Sequence, residues 1–248
     1  MGTTRIQLCG AVHAVIADVP VHDRLSGPQG RLLFAFLTLA RARPTGRAEF
    51  VHALWPEEQP DAAEAGLSAL LSKLRRAIGP DRLEGRGTVQ LRLPADAWVD
   101  VEAAADALHR AESAVARKSW TEAWGPARVV QHIAQRPFLA GDEAPWIEAE
   151  RARMGELHLR SLELVSETCL AIGGTELDTA ERSARTLVAR APFRESGSRY
   201  LMRVLAEREN PAEALRIYEA LRGRLREELG AAPSESTQAL YRELLART

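Results

Sequence analysis

Residues 61–93 limit the fold more than any other stretch. Between Asp61 and Ile78, Leu67, Leu70, Leu71, Leu74 and Ile78 recur at helical spacing and make one apolar stripe. Ser68, Ser72, Lys73, Arg75 and Arg76 lie off that stripe. Gly79-Pro80 then stops the helix. Gly85-Arg86-Gly87 leads into an extended run, Thr88-Val89-Gln90-Leu91-Arg92-Leu93. A basic-ended amphipathic helix followed by a glycine-cornered hairpin is how a winged helix meets DNA. The plainer reading of the same segment is a small α+β domain with a basic surface helix.

The flanking pattern decides what surrounds this helix. Arg5-Ile6-Gln7-Leu8 alternates polar and apolar, residues 11–17 are β-branched and apolar, and Val19-Pro20-Val21 suits an edge strand, since proline cannot donate to a ladder. From Pro28 the period changes. Leu32, Leu33, Phe36, Leu37 and Ala40 form a helical stripe. Arg41 to Gly46 reads as a turn, and Phe50, Val51 and Leu54 mark a short second helix ended by Trp55-Pro56, with Trp55 expected in the core. Strands, three helices and a hairpin, with Trp55 to Pro60 joining the last two helices, give a helix-turn-helix with a long turn.

Beyond Val99 no strand is expected. Apolar stripes predict helices over 102–117, 119–134, 144–172, 176–190, 195–208, 211–229 and 234–247, with breaks at Arg136-Pro137, Ala144-Pro145, Gly173-Gly174, Ala191-Pro192, Asn210-Pro211 and Ala232-Pro233. Ser234 suits an N-cap. Ala180, Arg182 and Leu187 match Ala214, Arg216 and Leu221 at a 34-residue offset, the period of tetratricopeptide repeats. The fold class expected is therefore mainly α. A winged helix-turn-helix of α+β type over residues 1–95 precedes an all-α tetratricopeptide-like domain over 96–248.

Charge permits a nucleic-acid partner without demanding one. The net charge is −1, but residues 1–95 hold 12 Lys and Arg against 9 Asp and Glu, and residues 96–248 hold 21 against 25. No apolar run approaches the roughly 20 residues that span a bilayer, and the N-terminus lacks a signal-peptide order. No membrane association and a cytoplasmic location are the expectation. Cys9 and Cys169 lack metal-like spacing and read as buried free thiols. The six histidines (His13, His22, His52, His109, His132 and His158) are scattered, and no His-x-x-x-His, Gly-x-Ser-x-Gly, P-loop or dinucleotide fingerprint occurs. Neither a cofactor nor catalysis is expected.

Several runs together resemble a known family. Ala191-Pro192-Phe193-Arg194-Glu195, Ala212-Glu213-Ala214-Leu215-Arg216-Ile217-Tyr218, Leu225-Arg226-Glu227-Glu228-Leu229-Gly230 with Pro233-Ser234, and Pro145-Trp146 are similar to the helical half of the Streptomyces antibiotic regulatory protein (SARP) family. Ala53-Leu54-Trp55 and Leu71-Ser72-Lys73-Leu74-Arg75-Arg76-Ala77-Ile78-Gly79 resemble its winged-helix signature. The likeness covers about residues 25–245. It implies a winged helix joined to a bacterial transcriptional activator domain, and a sequence-specific activator that binds double-stranded DNA near promoters and contacts RNA polymerase. The helical half would contact the polymerase or form a homodimer.

If DNA is bound, Ser68, Ser72 and Lys73 are the candidates for the major groove, Arg75, Arg76 and Arg86 for phosphates, and Thr88 for the wing. Each basic residue has a plainer role as a solvated charge at the helix end. The sequence also departs from the family. Its expected recognition face carries Glu64, Ala65, Gly66, Ser68 and Ala69 where arginine, threonine or glutamine is usual, and Thr88-Val89 replaces the wing's glycine-tyrosine. Glu64 would repel phosphate, and alanine offers a base edge no hydrogen bond. Those departures leave a second reading open: an interaction protein with a degenerate winged helix and a helical half that binds a partner or effector. Trp120, Trp124, Trp146, Phe193, Tyr200 and Tyr218 would line a groove in that reading, although aromatics at helical spacing are more often core. The Arg222-Arg224-Arg226 run with Glu227-Glu228 reads as a solvated face with local ion pairs.

Overall fold

The computed structural model describes residues 2–247. Two compact units emerge: residues up to 103 together with 136–154, and residues 104–135 together with 155 onward. No single cut in the sequence separates them.

In the first unit β1 (Arg5–Gln7), β2 (His13–Ile16) and β3 (Val19–Pro20) precede α1 (Gly27–Leu39), β4 (Thr45–Gly46), α2 (Arg47–Leu54), α3 (Ala63–Ile78), β5 (Leu83–Glu84), β6 (Thr88–Leu91) and β7 (Trp98–Val99). One sheet has the order β3-β2-β1-β7, with β1 and β7 parallel, and a second has β4-β6-β5. Ala17 and Asp18, both at positive φ, turn β2 into β3, as a two-residue hairpin requires. The strands are shorter than the alternating runs that announce them. β4 falls inside the expected turn, and β7 ends at Val99, where only helix follows. A two-residue strand carries no period to read.

The core of this unit is built from Ile6, Leu8, Leu33, Phe34, Leu37, Phe50, Leu67, Leu71, Leu91 and Phe138, all buried. Phe36 meets Phe50 and Trp146 edge-on at 5.9 and 5.3 Å. Polar ties join distant segments. The buried Asp100 carboxylate accepts the backbone N–H of Leu8, Cys9 and Val101 at 2.8–3.0 Å. Burial pushes its carboxyl up and these three donors push it down, with burial the stronger. Arg151 donates to the carbonyls of Phe138, Leu139 and Asp142, and Arg31 forks onto the Asp142 carboxylate at 2.8 and 2.6 Å.

The helices that follow are α4 (Asp100–Ala116), α5 (Trp120–Ala134), α6 (Pro145–Ile172), α7 (Leu177–Arg190), α8 (Glu195–Glu207), α9 (Pro211–Leu229) and α10 (Glu235–Ala246). Their ends fall within one or two residues of the predicted spans, because proline and glycine mark nearly every break. In the second unit α8 packs against both α7 and α9, and α10 against α9 and α8. The residues matched at 34-residue spacing sit alike: Ala180, Ala214, Leu187 and Leu221 are buried, while Arg182 and Arg216 are exposed. Small residues bring α7 and α8 close. A Cβ on Gly197 would lie 3.0 Å from Leu187 Cγ and 3.2 Å from the Val188 nitrogen. Tyr218 and Tyr241 stack at 3.9 Å in the core between α8, α9 and α10. Ser234 stands at the N-cap of α10, but its hydroxyl donates to Glu195 at 2.7 Å instead of capping the helix. The two thiols are buried and unpaired. Burial pushes Cys169 up to about 12, and raises Cys9 as well.

Candidate nucleic-acid interface

Helix α3 buries Leu67, Leu71, Leu74, Ala77 and Ile78, leaving Leu70 half-buried. Glu64, Ala65, Ser68, Ala69, Ser72, Lys73 and Arg76 are exposed. Gly66, expected on the same open face, is instead half-buried beside Trp55, whose ring would be 3.5 Å from an added Cβ. The reason is angular: Gly66 and Leu70 are one turn apart and share the flank of the apolar stripe.

The two halves of the exposed face differ. Over the N-terminal half lies Arg47, the first residue of α2. Its Nε donates to Glu64 Oε2 at 2.7 Å, and its Nη2 donates to the Ser68 hydroxyl at 2.8 Å and the Glu64 carbonyl at 3.1 Å. Nη1 reaches the Arg86 carbonyl of the wing at 3.5 Å. Ser68 Oγ donates to the Glu64 carbonyl of its own helix. Glu64 thus carries its own counter-ion, and Ser68 is engaged on both sides.

The C-terminal half is open and basic. Lys73, Arg76 and Ala77 border a concavity of about 270 Å³ with Arg24 and Ser26, which precede α1. No carboxylate lines it, and among the described residues neither Arg24, Lys73 nor Arg76 forms an ion pair. The nearby Asp23 is turned toward His22 at 3.6 Å. Ser72 is exposed on the same helix.

Arg75 has a different position. It is half-buried and donates to the carbonyls of Gly85 at 2.5 Å and Leu83 at 3.4 Å, fastening the wing to α3. The wing itself turns at Gly85, whose φ is +87° and where a Cβ would lie 2.1 Å from the Thr88 carbonyl oxygen, so only glycine fits. Arg86 and Thr88 are exposed at its tip, Gly46 pairs with Thr88, and Arg92 to Glu84 at 2.8 Å spans its base. Arg24, Ser26 and Arg47 had no sequence signal. Arg24 sits in a short 3-10 turn, and Arg47 at the first position of a short helix, so neither belongs to a periodic pattern.

The aromatics that the second reading would place in a groove are divided between the two units. Trp146 packs on Phe36 and Phe138 in the first unit, Tyr218 is buried in the second, and Trp124 and Phe193 are exposed. Among the described residues no group of three or more His, Cys, Asp or Glu is placed to hold a metal, and no helix is long and apolar enough to cross a membrane.

Residues 99–245 match the bacterial transcriptional activator domain. The chain belongs to that family. Among relatives of SARP type, regulatory protein AfsR of Streptomyces coelicolor is 32% identical over 88% of this chain. The chain spans 22% of the length of AfsR. Transcriptional regulatory protein MoaR1 of Mycobacterium bovis is 26% identical over 89% of this chain and 73% of its own length. The fold is that of Mycobacterium tuberculosis EmbR, solved in complex with a low-affinity phosphopeptide, with a TM-score of 0.86 at 20% identity over all of this chain and 66% of that one. This member of the activator-domain family is thus a SARP-type chain with a mainly α fold, a winged helix followed by a helical domain.

Proposed function

We propose that the chain is a sequence-specific transcriptional activator, in which the winged helix of residues 1–95 reads double-stranded DNA and the helical domain of 96–248 contacts RNA polymerase or a second copy. The acid-free basic concavity at the C-terminal half of α3 carries this reading. Three cations converge there with no carboxylate to neutralise them, beside a helix whose outer face is polar. Arg76, Arg24 and the wing's Arg86 hold phosphates, while Ser72, Lys73 and Ser68 face the major groove and Thr88 the backbone beside the wing. Arg75 serves the interface by fixing the wing. No catalytic role is assigned.

Selection of genomic fragments by the purified chain at low and moderate salt tests this. A recurring motif that survives moderate salt is expected. Arg24→Gln with Arg76→Gln should weaken binding across all sequences and reduce the salt slope by about 2. A folded protein that enriches nothing leaves the second reading: an interaction protein whose winged helix keeps its shape without reading DNA. The Arg47 clasp over Glu64 and Ser68 is the observation on its side, because it occupies half of the face with internal bonds.

A further inference from the structure

Helices α5 and α7 of the second unit enclose a cleft of about 200 Å³ whose lining includes Arg128, Gln131, His132, Arg182, Ser183 and Thr186 and contains no acidic side chain. We propose that this cleft binds the phosphoryl group of a small phosphate ester.

The charge balance around it is specific. The acids on α7 do not line it and are paired elsewhere, Asp178 with Arg208, and Glu181 with Arg185 at 2.8 Å and Arg208 at 3.4 Å. Glu176 takes the Trp124 indole N–H at 3.1 Å. Arg128 and Arg182 are exposed and have no carboxylate partner among the described residues. Both are held by neutral groups instead. Arg128 donates to Gln131 Oε1 at 3.2 Å, Gln131 donates to the Ser183 hydroxyl at 3.2 Å, and Arg182 donates to Thr179 Oγ1 at 3.1 Å. Two guanidinium forks facing one cleft suit an oxyanion with three or more acceptors. The volume, several times that of a water molecule at roughly 30 Å³, admits a phosphoryl head and leaves the rest of the ester outside. This assignment is independent of DNA binding, since every residue in it lies in the helical unit.

The test is titration of the full chain with glucose 6-phosphate, inorganic phosphate and glucose, following the arginine Nε–H NMR signals and calorimetric heat. Saturable shifts of the Arg128 and Arg182 signals are expected with both phosphates and none with glucose. A tighter ester would assign the ester as ligand, and equal affinities would assign the free ion. Arg128→Gln and Arg182→Gln should each lower affinity by about tenfold or more, given the strength of hydrogen bonds to charged groups. Arg216→Gln, the matching position one repeat later, should leave it unchanged. Absence of saturable shifts, or a loss with Arg216→Gln equal to that with Arg182→Gln, would overturn the assignment. Unchanged circular dichroism and melting of the variants keeps a folding defect from being mistaken for lost binding.

Discussion

In the first unit short elements are tied by buried polar bonds between segments far apart in sequence, such as Asp100 to Leu8 and Cys9. In the second, long helices close directly on small side chains, with Gly197 against Leu187 and Ala180, Ala184 and Ala214 buried. One unit is therefore sensitive to the loss of a single polar side chain, and the other to the gain of a single methyl. The difference follows from element length. Two- to four-residue strands cannot bury a wide apolar face, so long-range hydrogen bonds fix their register. Helices of three to five turns present a whole face, and the limiting factor becomes how near two backbones can come.

The largest effect expected on this basis is Asp100→Ala. It leaves the Leu8 and Cys9 amides buried without their acceptor, a loss of roughly 3 kcal/mol in unfolding free energy. Amide exchange should quicken in β1, β2 and β7 and hold in α7–α10. Equal loss in the helical repeats would break the contrast. Asp100 also gives a pH signature. Burial, partly opposed by its backbone donors, raises its carboxyl above the ordinary aspartate value. The folded state then holds the proton more tightly than the unfolded one. This group's contribution to stability is largest in acid and falls as pH rises from the unfolded value through the raised one. Asp100→Asn should remove that slope.

The same substitution made in both units gives opposite signs. Gly197→Ala places a methyl 3.0 Å from Leu187 Cγ and 3.2 Å from the Val188 backbone nitrogen. Overpacking of about 1–3 kcal/mol outweighs a helix-propensity gain of about 1 kcal/mol, for a net loss of about 1 kcal/mol. Gly66→Ala in α3 meets only the edge of Trp55 at 3.5 Å, an ordinary contact. It should stabilise the protein by about 0.5–1 kcal/mol, the propensity difference alone. Paired denaturant melts of the two variants check both signs, and a loss at Gly66 would show α3 packed as tightly as α7 and α8.

The contrast also explains what could be read in the sequence. Helices α4–α10 were legible almost to the residue, because each has a stripe of several turns and all but α4 have a proline or glycine near an end. A 34-residue offset was visible in three matched residues, and these have the same burial in both copies. In the first unit α1 and α3 were equally clear, but β4 and β7 were not, since two residues show no alternation. Asp100 was invisible for a related reason: Leu8 and Cys9, the two amides it ties from β1's end, are more than 90 residues away. The candidate interface was partly legible. Ser68, Ser72, Lys73, Arg76, Arg86 and Thr88 are exposed on α3 and the wing as expected, whereas Arg75 turned out to brace the wing. Arg24 and Arg47 come from other elements, and only the fold brings them beside α3.

The smallest effect separates the units by acid titration. Glu49 of α2 accepts from Arg43 and from the Gly46 amide, and these donors lower its carboxyl to about 2. Glu163 of α6 is buried, which by itself pushes its carboxyl up, but Ser196, Arg160 and Arg194 donate to it and the net shift is downward. Both groups are depressed relative to the unfolded chain, so both contribute stability that is present above the ordinary glutamate value and is lost as pH falls through the folded one. Burial sets them apart. The Glu49 pair is exposed and screened, so it should weaken in high salt, while the Glu163 cluster should not. Carboxyl NMR titrations at low and high salt are expected to move the Glu49 midpoint upward and leave that of Glu163 in place. Arg43→Gln should return Glu49 toward its ordinary value without altering the melting of the helical unit. A Glu163 midpoint that follows salt as Glu49 does would mean that the Glu163 cluster, too, behaves as an exposed, screened pair.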